Sequence, residues 1–319
     1  MKKIICVVGP TASGKTGLAV KLAKKSNGEI VSADSRQVYR GLDIGTGKDL
    51  GEYSNIKHHL IDICDPEEDF SLFTWLERAK LTVEDILNRG KLPIIVGGTG
   101  LYVQAFVEGF EQENEKLNIK SQNDNVKIKK FSRQQLENKT LTQLQKILQN
   151  IDENVFKKID QKNPHRLIRA IERAQEGIII SKNPPDYEFL QLGISLPRET
   201  LYKKIDQRVD SRFEEGMLEE VAKLLQSGVN PQWLVKLGLE YRIISNFLAN
   251  NSKFKVLNFN LMSNDQILKS NEFKEMAQEL KYKIHAYARR QLIWFRRFPE
   301  IKWIDNEFEA KKIIKDFLK

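Results

Sequence analysis

The residues best able to do chemistry stand near the start of the chain. Gly9, Pro10, Thr11, Ala12, Ser13, Gly14, Lys15 and Thr16 form a G-x-x-x-x-G-K-T run. It follows the apolar stretch Ile4-Ile5-Cys6-Val7-Val8 and precedes helical spacing at Leu18, Ala19, Leu22 and Ala23. Strand, Gly-rich loop and helix in that order make a P-loop in its required context. Its backbone N–H groups and the helix N-terminus form a cradle for phosphate. Lys15 adds a point charge, and the Thr16 hydroxyl is placed to ligate Mg²⁺. The loop predicts a bound diphosphate or triphosphate and leaves the reaction open.

Asp34 closes a second strand, read over Glu29–Ser35, and falls beside the loop in a parallel sheet. A carboxylate there can take a proton from a nucleophile that attacks a loop-bound phosphate ester. The alternative is a cap on the turn from Ser35 to Tyr39. The Thr11 hydroxyl can donate to a bridging phosphate oxygen, or it stabilises the loop's own turn. Phosphoryl transfer would ask for an acid to hold Mg²⁺. Asp62, near the end of a strand read over His58–Ile63, is the candidate, because the run Ile94-Ile95-Val96 ends in Gly97-Gly98 instead. His58, His59, His165 and His285 show no metal-ligand spacing. No G-x-S-x-G nucleophile elbow occurs.

The elements that must position these groups alternate. A helix is expected over Phe73–Asn88, a buried strand over Leu92–Val96, then Gly97-Gly98-Thr99-Gly100 and another helix from Leu101. Alternation of this kind predicts an α/β fold, a P-loop parallel-sheet core flanked by helices, with active groups at the carboxyl ends of the strands. After Gly109 the character changes. Glu111–Asn125 is rich in Glu, Asn, Gln and Lys, and helical patterns then continue to Gly177. Residues 111–185 therefore read as a mostly helical inserted domain between two parts of the core, 1–110 and 186–319. A strand is expected over Phe189–Leu196, and helices from Arg198 to near Gly216 and over Leu218–Gln226.

The last long helix is read over Asn271–Phe298. Phe273, Met276, Ala277, Leu280, Ile284, Tyr287 and Ala288 form its packing stripe. Lys283, Arg290 and Arg297 share another face, with Arg289 and Arg296 beside them. From Lys281 to Lys302 seven Lys or Arg stand against one acid, Glu300, with aromatics interleaved. That pattern suits a phosphate backbone, or a solvated face over packed aromatics. The net charge of +9 across 319 residues raises the same question of a polyanionic partner.

Two cysteines, Cys6 in a strand and Cys64, exclude a disulfide framework and fit a reducing compartment. No apolar run approaches membrane-spanning length. The expectation is a cytoplasmic monomer without a membrane partner.

Taken together, the blocks GPTASGKT (9–16), ADSRQVYRGLDIGTGK (33–48), HHLIDICDP (58–66), PIIVGGTGLYVQA (93–105) and ARRQLIWFRR (288–297) resemble the tRNA dimethylallyltransferases, also called tRNA isopentenyltransferases. NPHRLIRAIE (163–172) and LYKKIDQRVDSRFEEGMLEEV (201–221) are similar to the same family. The resemblance implies that the loop holds dimethylallyl diphosphate rather than ATP. The acceptor would be N6 of the adenosine 3′ of the anticodon in tRNAs reading codons that begin with U, with pyrophosphate released.

By the same resemblance, Asp34 is the general base, Thr11 lies beside the bridging oxygen and Arg208 is directed at the diphosphate. Asp34, Ser35, Arg36 and Gln37, together with His165, Arg166, Leu167, Ile168 and Arg169, would touch the tRNA, and Thr99 would lie near the target nucleotide. Arg290 and Arg297 would add backbone affinity, and the 111–185 insertion, which looks short, would grip the anticodon stem-loop. Asp160-Gln161-Lys162-Asn163 replaces a His-Pro-Asn-Asp common in the family, and Lys236–Arg242 departs from an Arg-Cys-Val-Gly-Tyr-Arg-like motif. The competing readings are a P-loop small-molecule or nucleotide kinase, an adenylate isopentenyltransferase acting on free nucleotide, and a non-enzymatic RNA-binding nucleotide switch.

Overall fold

A computed structural model describes residues 2–114, 130–251 and 264–319. The Glu111–Asn125 stretch lies outside these residues from position 115 onward. In chain order the elements are β1 Lys2–Val8, α1 Lys15–Ser26, β2 Gly28–Ser32, β3 His58–His59, α2 Leu72–Asn88, β4 Leu92–Gly97, α3 Gly100–Val107 and β5 Phe110–Asn114. Then come α4 Arg133–Glu137, α5 Leu141–Ile151, α6 Glu153–Lys158, α7 Pro164–Glu176, β6 Ile178–Lys182, β7 Tyr187–Ile194, α8 Arg198–Glu214 and α9 Met217–Gln226. The chain finishes with α10 Pro231–Leu237, α11 Leu239–Asn250, α12 Asn264–Lys269, α13 Asn271–Phe295, β8 Lys302–Ile304 and α14 Glu307–Leu318.

Six strands form one parallel sheet in the order β3-β2-β4-β1-β7-β8. Ile4 to Val8 are completely buried, as a central parallel strand covered on both faces requires. The register aligns the strand ends. Val8 pairs with Gly97 and Gly193, and Ser32 pairs with Val96. The loops after β1, β2 and β4 therefore leave from one rim.

Two compact units divide the chain, Met1–Val107 with Pro185–Lys319, and Glu108–Pro184. The first carries the parallel sheet and a large helical core. In that core Val209 and Phe213 of α8, Val221 of α9, Ile244 and Leu248 of α11 and Leu280 and Ile284 of α13 pack together. The second pairs β5 with β6 antiparallel and packs α4, α5 and α7 around Leu136, Leu144, Leu148, Leu167, Ile168 and Ile171. Its helices are capped as the sequence requires. Ser132 and Thr140 each form a capping box with Gln135 and Gln143, and Asn163 caps α7 ahead of Pro164.

One strand is shorter than expected. The apolar run from His58 to Ile63 pairs with β2 only at His58 and His59. Leu60 and Asp62 then take positive φ, 64° and 56°, which no strand accommodates. The next residues hydrogen-bond to the Gln37–Val38 turn instead.

Candidate active site at the strand ends

The P-loop leaves β1 through Gly9 and enters α1 at Gly14, whose φ of 87° is left-handed. Ala12 also sits at positive φ, 59°, a strained setting for a residue with a side chain and one that clusters at ligand-binding loops. Thr11, Lys15 and Thr16 line a cavity at the rim. Asp34 and Gln37 beyond β2 face it too, with Gly97 and Gly98 at the end of β4. The remaining wall comes from Arg36, Thr46, Gly47 and Tyr53, from Arg208 and Arg212 of α8, and from Tyr287 and Gln291 of α13.

Asp34 caps the turn after β2 and also faces the cavity. Its Oδ1 accepts from the N–H of Arg36 at 2.9 Å and of Gln37 at 3.4 Å, capping the turn, while the carboxylate lines the cavity. The Thr99 Oγ1 accepts from the Ser35 N–H at 3.2 Å, joining the β2 and β4 loops. Gln37 turns inward. Its Nε2 donates to the Gly47 carbonyl at 2.9 Å, and its Oε1 accepts from the Ser32 hydroxyl at 3.0 Å. Arg36 pairs with buried Glu240 at 2.6 Å. Glu240 belongs to the Lys236–Arg242 departure, so that departure reaches a wall of the cavity.

Lys15 donates to the Pro10 carbonyl at 2.6 Å. Burial, then the Arg208 charge, pull its pKa down to about 7, with Asp34 opposing. Arg208 pairs with Asp49. Burial pushes Tyr287 up to about 12, so it stays a phenol. Lys15, Arg36, Arg208 and Arg212 thus meet around the cavity, partly balanced by Asp34, Glu240 and Asp49, a setting that favours an anionic ligand.

Asp62 is not part of this cavity. Its carboxylate pairs with the buried ammonium of Lys48, which also bonds Asp43 at 2.6 Å. The left-handed turn at Leu60 and Asp62 directs it there, and the Walker-B assignment is corrected accordingly. Among the described residues no three His, Cys, Asp or Glu side chains form a metal-holding group.

In the second unit His165, Arg166 and Arg169 are exposed on α7. Leu167 and Ile168 are not available, because they are 0% and 3% exposed in that unit's own core. Their expected RNA contact is corrected to a packing role. Arg289 and Arg290 on α13, and Arg296 and Arg297 just beyond it, are exposed, with Arg290 over the Tyr287 ring and Arg297 over Trp294. The helix ends at Phe295, so Arg297 lies past it rather than on its face.

Sequence reasoning missed Gln291, Arg212 and Glu240. Gln291 continues the packing stripe one turn past Ala288 and is buried, and a polar residue on an apolar stripe was the available signal. Arg212 lies four residues after Arg208, on the same helix face.

Fold and cavity define a P-loop protein of the parallel α/β class with a cationic site at its strand ends. The chain belongs to the IPP transferase family, whose model matches residues 37–298. A second family model, isopentenyl transferase, matches residues 2–57. The chain is 40% identical to the tRNA dimethylallyltransferase 1 of Syntrophus aciditrophicus, over 98% of this chain and 97% of that one. It is also 40% identical to the tRNA dimethylallyltransferase 2 of Shewanella sediminis, over 95% and 93%. The crystal structure of the tRNA isopentenylpyrophosphate transferase of Bacillus halodurans superposes with a TM-score of 0.65 at 34% identity, covering 100% of this chain and 96% of that one. A eukaryotic dimethylallyltransferase described as acting on tRNA gives a TM-score of 0.69 at 27% identity, over 96% and 74%.

Proposed function

We propose that this chain transfers a dimethylallyl group from dimethylallyl diphosphate to N6 of the adenosine 3′ of the anticodon, in tRNAs reading codons that begin with U. The observation that carries it is the opening of the P-loop, Asp34 and Arg208 into one cavity, in a chain of this family. The bond that forms joins N6 to the allylic carbon. The bond that breaks is the carbon–oxygen bond to the diphosphate, which leaves as pyrophosphate with the electron pair. An allylic carbon tolerates positive charge, so stabilising the departing anion is the main demand. Loop N–H groups, Lys15 and Arg208 meet it, and the Thr11 hydroxyl donates to the bridging oxygen. Asp34 takes the proton that N6 must lose. The target base leaves its stack to reach the cavity.

Thr16 with a phosphate cradle beside it fits Mg²⁺, which is commonly held through substrate phosphates and water with few protein ligands. Mg²⁺ on Thr16 would supply further charge stabilisation to the diphosphate. The exposed His165, Arg166, Arg169, Arg290 and Arg297 supply phosphate-backbone affinity, and the 108–184 unit grips the anticodon stem-loop. The protein works as a cytoplasmic monomer, where its two buried thiols, Cys6 and Cys64, stay reduced.

The kinase reading is weakened, because the carboxylate it needed, Asp62, is committed to Lys48. Purified protein incubated with dimethylallyl diphosphate, Mg²⁺ and unmodified tRNA is expected to yield N6-dimethylallyladenosine at the position 3′ of the anticodon. ADP from ATP, with no modified tRNA, would contradict the proposal.

A further inference from the structure

Arg208 and Arg212 stand one turn apart on α8 and line the cavity with Lys15 and Thr16. Arg208 is paired to Asp49. Arg212 has no comparable bond. It is 6% exposed, and its Nε and Nη2 are buried without a hydrogen-bond partner. Oxygens of Asp49 and Glu240 stand 3.9 Å from its nitrogens, beyond hydrogen-bond range. Glu240 is already bonded to Arg36 at 2.6 Å. A buried guanidinium with unmet donors is costly until an anion completes it.

The backbone opposite aims both arginines at one spot. Gly47 takes φ 66°, and a Cβ there would collide with Nη2 of Arg212 and Nη2 of Arg208 alike. Two guanidinium edges thus converge beside the P-loop, against a loop with no side chain between them. Like charges so placed repel unless a polyvalent anion lies across them.

We infer that Arg212 is a second diphosphate-binding arginine, its Nε and Nη2 edge taking oxygens of the leaving group alongside Arg208. This rests on the cavity's being the diphosphate site. The Nε–Nη2 edge matches two oxygens of one phosphate, which a lysine's point charge cannot do. Burial, then the neighbouring Arg208, pull the pKa of Arg212 down to about 10, and a bound diphosphate reverses that strain.

Calorimetric titration of inorganic pyrophosphate with Mg²⁺ into the wild type and Arg212→Met tests this. The variant is expected to bind pyrophosphate at least about tenfold more weakly. Its KM for dimethylallyl diphosphate should rise while its tRNA Kd is unchanged. Without pyrophosphate its Tm should equal or exceed that of the wild type, because a buried guanidinium with unmet donors has gone. A merely structural arginine would give the opposite sign. If Arg212→Met does not fold, Arg212→Gln carries the same reading. Wild-type pyrophosphate affinity in the folded variant overturns the inference and leaves the diphosphate site standing. Failure of the wild type itself to bind pyrophosphate overturns the diphosphate site, and the inference with it.

Discussion

Gln291 holds the backbone of Thr11. Its Oε1 accepts the Thr11 N–H at 2.9 Å, across 280 positions of sequence. The same amide donates from Nε2 to the Gly98 carbonyl at 2.8 Å, so one side chain of α13 ties the P-loop to the end of β4. Gly98 has no Cβ, and one there would strike that Nε2. The helix read from sequence as an RNA-facing element also sets the position of the loop.

Gln291→Ala leaves the Thr11 N–H and the Gly98 carbonyl without this partner, at a stability cost of about 1–3 kcal/mol. A displaced loop should lower kcat by about 10- to 100-fold, with tRNA affinity unchanged. Gln291→Glu keeps the acceptor for Thr11 but sets a carboxylate against the Gly98 carbonyl, and it should not rescue. Steady-state kinetics with a tRNA filter-binding control read this, and an unaltered kcat in the alanine variant would refute the role.

Asp34 caps a turn through Oδ1 and also borders the cavity, so two substitutions separate its roles. Asparagine preserves the turn and cannot take a proton, whereas alanine loses both. Single-turnover transfer should fall by about 10²–10⁴-fold in both variants. Only Asp34→Ala should also lose about 1 kcal/mol in urea unfolding. Full activity in Asp34→Asn would rule out the general-base assignment.

Glu29 is 1% exposed and binds Arg89, Lys91 at 2.7 Å and His59 at 2.7 Å. The Arg89 hydrogen bonds, with Lys91 and His59, outweigh burial and hold its carboxyl well below the usual range. Because the folded pKa is depressed, the stability it contributes is present above the unfolded value near 4.5 and is lost as pH falls through the folded one. Its cations are about a third exposed, so Glu29→Gln should cost about 3 kcal/mol at pH 7, the lower end for breaking a buried pair. Urea unfolding of both proteins should show a constant gap above about pH 5 that narrows on acidification. A gap that is pH-independent down to the acid transition would contradict it.

Arg290 and Arg297 are exposed and form no ion pair among the described residues. Replacing either with alanine should weaken tRNA binding and reduce the slope of log affinity against log salt by about one. An unchanged slope in both would place the RNA elsewhere.

What the sequence made legible follows from how local each signal is. The P-loop is a contiguous motif bounded by its own strand and helix, readable without knowing the rest of the fold. Asp34 follows β2, which is separated from β1 by β4, so its place at the same rim depends on the strand order of the sheet. The Leu60–Ile63 run looked like strand because apolar side chains report burial, whereas the positive φ at Leu60 and Asp62 is imposed by the turn it packs against. Leu167 and Ile168 share a decapeptide with exposed Arg166 and Arg169, and only the helix face separates packing from contact. Gln291 and Arg212 reach the cavity from helices far along the chain. Their function depends on which face of α13 and α8 meets the rim, a fact of tertiary packing.

The central claim is that the loop holds a leaving group and that the carbon–oxygen bond beside it breaks. Dimethylallyl diphosphate labelled with ¹⁸O at the bridging position, turned over on unmodified tRNA, tests it most directly. The account predicts that all label appears in pyrophosphate, equimolar with N6-dimethylallyladenosine. Label retained on the five-carbon product, or phosphate transferred to the RNA, would contradict it.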